Sequence, residues 1–472
     1  MTRPSGRNSF LSGDRPPSPP LAGATGNASQ AVLESLFSAF AERFEAALVR
    51  HAVPGGAVAL HYYDQQWSAG FGVTNVDHPL PIEETTLFQV GGITKLVTAL
   101  ALAILAEGGW IDLDEPVRSY LPSLRLADAR VAERVTVRQL LNHTGGWYGD
   151  DLGGGESGPD AAARYLPRLA SAPQLLPLGT RFSINDSGYV VAARILEEMS
   201  GRSYPAAVRA LVLAPLGMTR SFFEAREVVT TRYAIGHALD GGQPKVHRGW
   251  TTVPAALAAA GGLCASVQDL LRLGMALKGD EPSLLSKAGL AAFHEPTTDR
   301  GVLGREEFAG FGVGVMVWEA GGNRYFGQTG STDYQVARLV YHPAADFVLA
   351  LATNAASGER AIADVLPFAL EQYIAITTPP LAIYETATST LNELAGRYGF
   401  SDSKLGPSIA VVVREGMLRF DYGGDARLEL VAPDSVVVAE GPLRGTRAEF
   451  LRDSAGVAAW LRLDGKVYPR LR

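Results

Sequence analysis

The sequence predicts an α/β domain followed by a small all-β domain, and three observations support this prediction. Strand patterns lie at 56–73 and 324–353, on either side of a largely helical middle, so one sheet is assembled from distant segments. The prolines at 379–380 end the last helical stretch. From about residue 393, short strand patterns alternate with turns, which is typical of a small β domain. The predicted boundaries are a disordered tail at 1–30, the α/β domain at 31–378, a linker at 379–392 and the β domain at 393–472.

The helices of the first domain are predicted from apolar periodicity and from glycine stops. The stretch 31–51 carries apolar residues at helical spacing, and an apolar helix at 92–107 ends at two glycines. The remaining predicted elements of this domain are helices at 137–141 and 188–199, a hairpin of strands at 56–62 and 66–73, and strands at 324–327, 334–341 and 346–353.

The second domain is predicted from seven short strand patterns with turn residues between them. They lie at 408–414, 416–422, 427–431, 435–439, 448–451, 458–464 and 466–470.

The composition favours a globular, cytoplasmic protein. Of 472 residues, 47% are apolar, and 42 Lys and Arg against 49 Asp and Glu give a net charge of −7, which argues against a nucleic-acid partner. Residues 1–30 carry no apolar run such as a signal peptide needs, and the longest apolar stretch elsewhere, 96–106, is too short for a membrane span. The single cysteine, Cys264, excludes an internal disulfide and a cysteine-based metal site. We therefore predict no cofactor, no metal and no membrane association.

Three short segments stand at positions where chemistry is expected. Gly92-Ile93-Thr94-Lys95 opens the apolar helix, Ile184-Asn185-Asp186 precedes another helix, and Gln328-Thr329-Gly330 lies on a strand. With the segment 140–147, they resemble the serine β-lactamase and penicillin-binding-protein family, in particular its class C β-lactamase and family VIII esterase branch. The resemblance covers about 31–377 and implies an antiparallel sheet flanked by helices plus an all-helical region. The segment from Leu394 is similar to the lipocalin-like domain often appended in this family.

The chemistry that the resemblance implies requires three elements, and this chain alters each of them. The family's Ser-x-x-Lys places a nucleophile one helical turn before a lysine, and its Tyr-x-Asn supplies a second acid/base group. Here Gly92 stands at the serine position, Ile184 at the tyrosine position and Asp186 at the asparagine position. Gln328 replaces the basic residue of the third motif, so Lys95 alone keeps its family side chain among these central groups.

The resemblance implies that Asp186 faces Lys95, and we predict these two residues as the catalytic acid/base pair. The backbone N–H groups of Gly92 and Ser331 are expected to form an oxyanion hole, which needs no side chain. The residues predicted to contact substrate are Gly92, Trp147, Tyr148, Asp150, Ile184, Gln328, Thr329, Gly330 and Ser331.

The resulting hypothesis is a biosynthetic enzyme that works without an acyl-enzyme on a hydrophobic small molecule of secondary metabolism. Isomerisation, elimination, cyclisation and addition all suit an acid/base pair beside an oxyanion hole. One alternative is a serine hydrolase or acyltransferase inactivated by a serine-to-glycine change at Gly92. A second alternative is a non-catalytic protein that binds a small molecule, in which Asp186 is only a structural partner of Lys95.

Overall fold

A computed structural model describes residues 27–150, 158, 160–249, 253–377, 381–402, 405–422 and 424–471. Most of the predicted tail, residues 1–26, and the prolines at 379–380 lie outside the described residues. Among the helices that are described, none is long and apolar enough to cross a bilayer.

Thirteen α-helices lie within the described residues. They are α1 (Asn27–Arg50), α2 (Ile93–Glu107), α3 (Ala129–Arg134), α4 (Val137–Leu141), α5 (Ala161–Tyr165), α6 (Asp186–Ser200), α7 (Tyr204–Val208), α8 (Ala225–Val228), α9 (Ala258–Gly261), α10 (Val267–Lys278), α11 (Lys287–His294), α12 (Gly358–Ile374) and α13 (Thr388–Leu394). Shorter 3-10 or π turns lie at Val117–Ser119, Leu166–Ser171, Arg209–Leu213, Ala255–Leu257 and Pro343–Ala345.

The described strands form one large sheet, one barrel and three small sheets. They are β1 (Gly55–Tyr62), β2 (Gln65–Gly72), β3 (Phe88–Gln89), β4 (Ser221–Phe222), β5 (His237–Asp240), β6 (Gln243–Val246), β7 (Cys264–Ala265), β8 (Gly301–Leu303), β9 (Glu306–Phe308), β10 (Gly310–Phe311), β11 (Met316–Ala320), β12 (Asn323–Ser331), β13 (Val336–His342), β14 (Phe347–Thr353), β15 (Gly396–Gly399), β16 (Ser408–Arg414), β17 (Met417–Asp421), β18 (Asp425–Ala432), β19 (Ser435–Val438), β20 (Arg447–Arg452), β21 (Ala458–Leu463) and β22 (Lys466–Pro469).

The large sheet is antiparallel and has the order β10-β11-β12-β13-β14-β1-β2. Strand β1 pairs with β14, with Gly56 opposite Thr353 and Tyr62 opposite Phe347, so the sheet joins both ends of the first domain as predicted. Alternate side chains of the central strands pack against α1 and α12 on one face and against α2, α6 and α10 on the other. The predicted α/β fold is confirmed.

Two boundaries differ from the sequence prediction. Helix α1 begins at Asn27, within the predicted tail, because no Gly or Pro interrupts the stretch that leads to the buried Leu33. Within the predicted linker, Thr388 begins α13, and this helix carries the buried side chains of Leu391 and Leu394 into the core of the second domain.

The second domain is a nearly closed barrel of eight antiparallel strands, β15 to β22, arranged in chain order. A bridge between Tyr398 and Arg470 brings the first and last strands together, as expected for a lipocalin-like domain. The sequence prediction missed β15, whose four residues include two glycines and alternate poorly.

A buried arginine of the barrel fixes it to the first domain. Arg462 on β21 is fully buried, and its guanidinium lies 2.8 Å from Asp299 Oδ2 and 2.7 Å from Glu449 Oε2. The guanidinium also lies 3.8 Å from the ring centroid of Phe182 in the first domain. Because a buried charge is costly unless it is paired, this cluster favours one arrangement of the two domains.

Candidate active site

A cleft of about 490 Å³ lies where the start of α2, strand β12 and the turn before α6 meet the barrel. Both charged and apolar side chains line this cleft, and most of the predicted site residues are among them. The members used below are Gly92, Lys95, His143, Ile184, Asp186, Phe311, Gln328, Thr329, Gly330, Ser331, Asp464 and Lys466.

Strand β12 runs close to the turn that opens α2. Gly91 has a φ of +49°, and a Cβ there would lie 2.4 Å from the Ser331 carbonyl oxygen. A Cβ on Gly92 would lie 2.8 Å from the Thr329 carbonyl oxygen and 3.8 Å from Lys95 Nζ. A side chain at position 92 would therefore require strand β12 to move. The packing around this position leaves room only for a glycine.

The structure brings Lys95 and Asp186 together inside the cleft. Lys95 Nζ lies 2.8 Å from Asp186 Oδ1, and their side chains are 12% and 30% exposed. Burial raises the pKa of the Asp186 carboxyl, but the ammonium of Lys95, with a smaller contribution from Lys466, outweighs it and holds this pKa below its usual value. Asp186 also stands in the first turn of α6, where the helix dipole favours an anion.

Asn185 shapes the turn that presents this carboxylate. Its side chain caps α6 by accepting the Gly188 N–H at 2.7 Å, and its amide donates to the Trp147 carbonyl oxygen at 3.0 Å. The Gly149 carbonyl oxygen accepts the Asp186 N–H at 2.9 Å. The carboxylate is therefore held by a fixed backbone.

His143 is a member of the cleft that the sequence reasoning missed. Its backbone has a φ of +64°, and its ring Nδ1 accepts the Asn185 N–H at 3.1 Å. Burial, with the nearby Lys95 ammonium, lowers the pKa of His143 to about 3, so the ring is neutral at physiological pH. The available signal was its position beside the motif residues at 144–146.

Gln328 on β12 provides no charge to the cleft. Its Nε2 donates to the Gly314 carbonyl oxygen at 3.2 Å, and its Oε1 accepts the Thr329 N–H at 3.0 Å. Both ends of the amide are thus held by backbone. The exposed Ser331 follows at the open end of the strand.

The barrel supplies one wall of the cleft through the hairpin between β21 and β22. The Ile184 N–H donates to the Gly465 carbonyl oxygen at 2.9 Å, and the Val467 N–H donates to Ser183 Oγ at 3.2 Å. Beside them Lys466 Nζ lies 2.7 Å from Asp150 Oδ1. Sequence motifs did not identify Lys466, because they cannot show where the barrel docks.

Two of the predicted substrate contacts lie in the interior instead. Trp147 is 2% exposed and donates from Nε1 to Ser187 Oγ at 2.9 Å. The ring of Tyr148 packs 5.3 Å from that of Phe400 in the barrel core. The prediction placed them in the cleft because of their motif, but the large apolar area of both rings is buried by packing.

Three other side chains with nucleophilic atoms, those of Thr94, Ser187 and Cys264, are buried. Thr94 Oγ1 donates to the Gly91 carbonyl oxygen at 2.7 Å and is buried. Ser187 donates to Asn185 Oδ1 at 2.9 Å, and burial raises the pKa of the Cys264 thiol to about 12. None of these three groups replaces the serine that position 92 lacks.

Known proteins resemble this chain in sequence. The model of the beta-lactamase family matches residues 37–372. Penicillin-binding protein 4 of Amycolatopsis lactamdurans is 30% identical over 321 residues, which cover 66% of this chain and 84% of that protein. Esterase EstB of Burkholderia gladioli is 32% identical over 211 residues, which cover 42% of this chain and 52% of the esterase.

Among solved structures, SurE matches both domains. Its crystal structure has a TM-score of 0.77 and 25% sequence identity, covering 93% of this chain and 99% of SurE. The crystal structure of SurE with D-Leu matches with a TM-score of 0.74 and 24% identity, covering 93% of this chain and 100% of that one. The resemblance inferred from the motifs is confirmed, and this chain belongs to the beta-lactamase family.

Proposed function

We propose that this chain is an enzyme that forms a bond at a carbonyl carbon of a hydrophobic small molecule in secondary metabolism, without a serine nucleophile. The observation that carries the proposal is the 2.8 Å ion pair of Lys95 and Asp186 beside Gly92. Loss of the motif residues of a serine hydrolase does not by itself introduce a new carboxylate beside the lysine that is retained. The acid/base pair therefore favours a catalyst over a protein that only binds.

Addition of an amine to a carbonyl, followed by loss of a leaving group in a coupling or a cyclisation, suits the site better than isomerisation or elimination. A carboxylate whose pKa lies below its usual value, as that of Asp186 does, is poorly matched to removing a proton from carbon at neutral pH. The proton on a nitrogen that has just attacked a carbonyl is far more acidic. Gly92 lines the cleft beside Lys95 at the position where the family has its nucleophile, so we infer that an amine of the substrate approaches the carbonyl from this side of the cleft.

In the proposed reaction the amine attacks the carbonyl carbon directly, and no acyl-enzyme forms. An amine nitrogen forms a bond to the carbonyl carbon, and the electron pair of the C=O bond moves to the oxygen, which the N–H groups of Gly92 and Ser331 stabilise. Asp186 accepts the proton that the nitrogen loses. The carbonyl re-forms as the bond to the leaving oxygen breaks, and Lys95 donates a proton to that oxygen and then receives the one held by Asp186.

The relatives guide the choice of a probe. SurE has been crystallised with D-Leu, and EstB is an esterase. An activated ester of an acylated D-leucine combines both features, and its side chain suits the apolar surfaces of Ile184 and Phe311 in the cleft. We infer that a substrate of this chain is an acyl compound with an apolar side chain next to the reacting carbonyl.

The test is the reaction of N-acetyl-D-leucine p-nitrophenyl ester with L-phenylalanine amide. Release of p-nitrophenol measures turnover, and mass spectrometry divides the product into coupled amide and free acid. We expect the amide to dominate and no acyl adduct on the intact protein. Lys95→Met and Asp186→Asn are each expected to lower kcat by at least about 100-fold, the usual effect of losing an acid/base group.

A surface ion pair provides the matched control. Lys245 Nζ lies 2.9 Å from Asp240 Oδ2, and both side chains are more than half exposed, so Lys245→Met should leave turnover unchanged. Hydrolysis gained by Gly92→Ser would favour the inactivated-hydrolase alternative. Unchanged substrate, with D-leucine bound equally by wild type and Lys95→Met, would favour the binding-protein alternative.

A further inference from the structure

The barrel brings a second ammonium to the candidate acid/base pair. Lys466 on β22 lines the same cleft as Lys95 and Asp186, although it belongs to the other domain. Its Nζ is held 2.7 Å from Asp150 Oδ1, and the side chains of Lys466 and Asp150 are 37% and 31% exposed. The ammonium is thus oriented by one carboxylate, and it lines the same cleft as a second, Asp186.

The charged or titratable groups near Asp186 are Lys95, His143, Tyr189 and Lys466, and they come from different parts of the fold. Lys95 on α2 contributes an ammonium at 2.8 Å, and the buried His143 contributes a neutral ring. Tyr189, one turn along α6, contributes a neutral phenol whose pKa burial and the Asp186 charge raise. Lys466 is the second cation among these described neighbours, and it comes from outside the first domain.

The hairpin that carries Lys466 is held against residue 184. The Ile184 N–H donates to the Gly465 carbonyl oxygen at 2.9 Å, and a Cβ on Gly465 would lie 2.6 Å from Ile184 Cδ1. Position 184 is where the motif of the family places its tyrosine. The apolar Ile184 and the polar Lys466 therefore lie on the same side of the cleft. The link between them is Gly465, which precedes Lys466 in the chain and contacts Ile184.

We propose that Lys466 takes over the polar function that position 184 has lost, as a positioning residue that, together with Lys95, holds the Asp186 carboxylate ionised and oriented in the active site. The inference rests on the proposed function, because it assigns the same carboxylate as the group that accepts the proton. Under this proposal neither domain has a complete site by itself, and the last hairpin of the barrel completes it.

The test compares Lys466→Met with Lys466→Arg in the full chain. The ionisation of Asp186 is measured by the carboxyl ¹³C resonance of aspartate-labelled protein, assigned with Asp186→Asn. Without the Lys466 cation, the pKa of Asp186 should rise, so the acid limb of kcat/KM for the D-leucine ester and amine moves to higher pH. Because Lys95 stays 2.8 Å from Asp186 and Lys466 has the smaller influence on this carboxylate, we expect kcat/KM near neutral pH to fall by about 5- to 10-fold in Lys466→Met, the scale of a charge interaction without a direct hydrogen bond.

The conservative variant separates positioning from a merely structural role. Lys466→Arg should return the Asp186 pKa and bring kcat/KM to within about threefold of wild type, while Lys245→Met should alter neither. An Asp186 pKa that is the same in wild type and Lys466→Met would overturn the inference, and Lys466→Gln repeats the measurement if the Met variant does not fold. A raised pKa in a protein whose wild type has no turnover would support the positioning role and refute the proposed reaction instead.

Discussion

Replacing Gly465 with alanine tests whether the barrel hairpin is closely packed against residue 184. Gly465 has a φ of +73°, and Gly416, in the turn between β16 and β17 of the same barrel, has a φ of +72°. Each glycine follows a residue with a positive φ, so the two turns have the same backbone shape. Gly416 has open space where its Cβ would be, which makes Gly416→Ala a control with the same backbone strain.

The two variants should differ by a packing cost alone. An alanine at a left-handed φ costs about 1–2 kcal/mol of the free energy of unfolding at either position. At Gly465, the new Cβ would also lie 2.6 Å from Ile184 Cδ1 and 3.0 Å from Leu303 Cδ1. Overpacking of this kind typically costs about 1–3 kcal/mol, and because both neighbours are side-chain ends that can rotate, we expect the lower part of that range.

Urea unfolding followed by circular dichroism measures the difference. We expect Gly465→Ala to lose about 1 kcal/mol more than Gly416→Ala and to lower kcat/KM for the ester and amine, because Lys466 moves with the turn. Gly416→Ala should keep the wild-type rate. Equal losses of stability in both variants, with equal rates, would show that the hairpin tip is not in contact with Ile184.

Three further predictions concern the rest of the structure. Gly92→Ala should lower the thermal unfolding temperature. Gly92 has an ordinary helical φ of −57°, where a change to alanine normally raises the free energy of unfolding by about 0.4–1 kcal/mol. Here, however, the Cβ of the alanine would lie 2.8 Å from the Thr329 carbonyl oxygen. A rise in the unfolding temperature would contradict the close approach of β12. Arg462→Met should cost about 3–5 kcal/mol in urea unfolding, because two carboxylates lose their buried partner, and a loss below 1 kcal/mol would refute that role. The pKa of His143 is near 3 when folded and about 6.5 when unfolded, so the unfolded chain binds the proton first and stability falls as pH drops below 6.5. Between pH 7 and pH 5 this residue should account for about 2 kcal/mol of lost stability, which His143→Asn, with an amide oxygen in place of Nδ1, should abolish.

The site elements of the first domain were predictable because their signals are local. A few adjacent residues are enough to predict where the apolar helix after Gly92 and the capped helix after Asn185 begin. The order of the motifs then gave the family, and the family geometry put Asp186 opposite Lys95. The 2.8 Å contact between them agrees with that expectation.

The contribution of the barrel was not predictable in the same way. The hairpin signal at Asp464-Gly465 was visible, since it separated two predicted strands, but nothing local shows what the turn touches. Val467 and Ser183, which the docking brings together, are 284 residues apart in sequence. The position of Lys466 depends on long-range packing, in which the buried Arg462 has a large part, and such packing leaves no periodic pattern in the sequence.

The pairing of β1 with β14 has a consequence for the chain while it is being synthesised. Tyr62 and its partner Phe347 are 285 residues apart, so at about 5–20 residues per second the ribosome needs about 15–60 s to supply the second strand after the first. During that time one edge of β1, a strand wholly buried in the folded protein, is open to pairing with strands of other nascent chains. Chains that stop before residue 347 should therefore aggregate or remain bound to chaperones, and slower synthesis would prolong the period of risk.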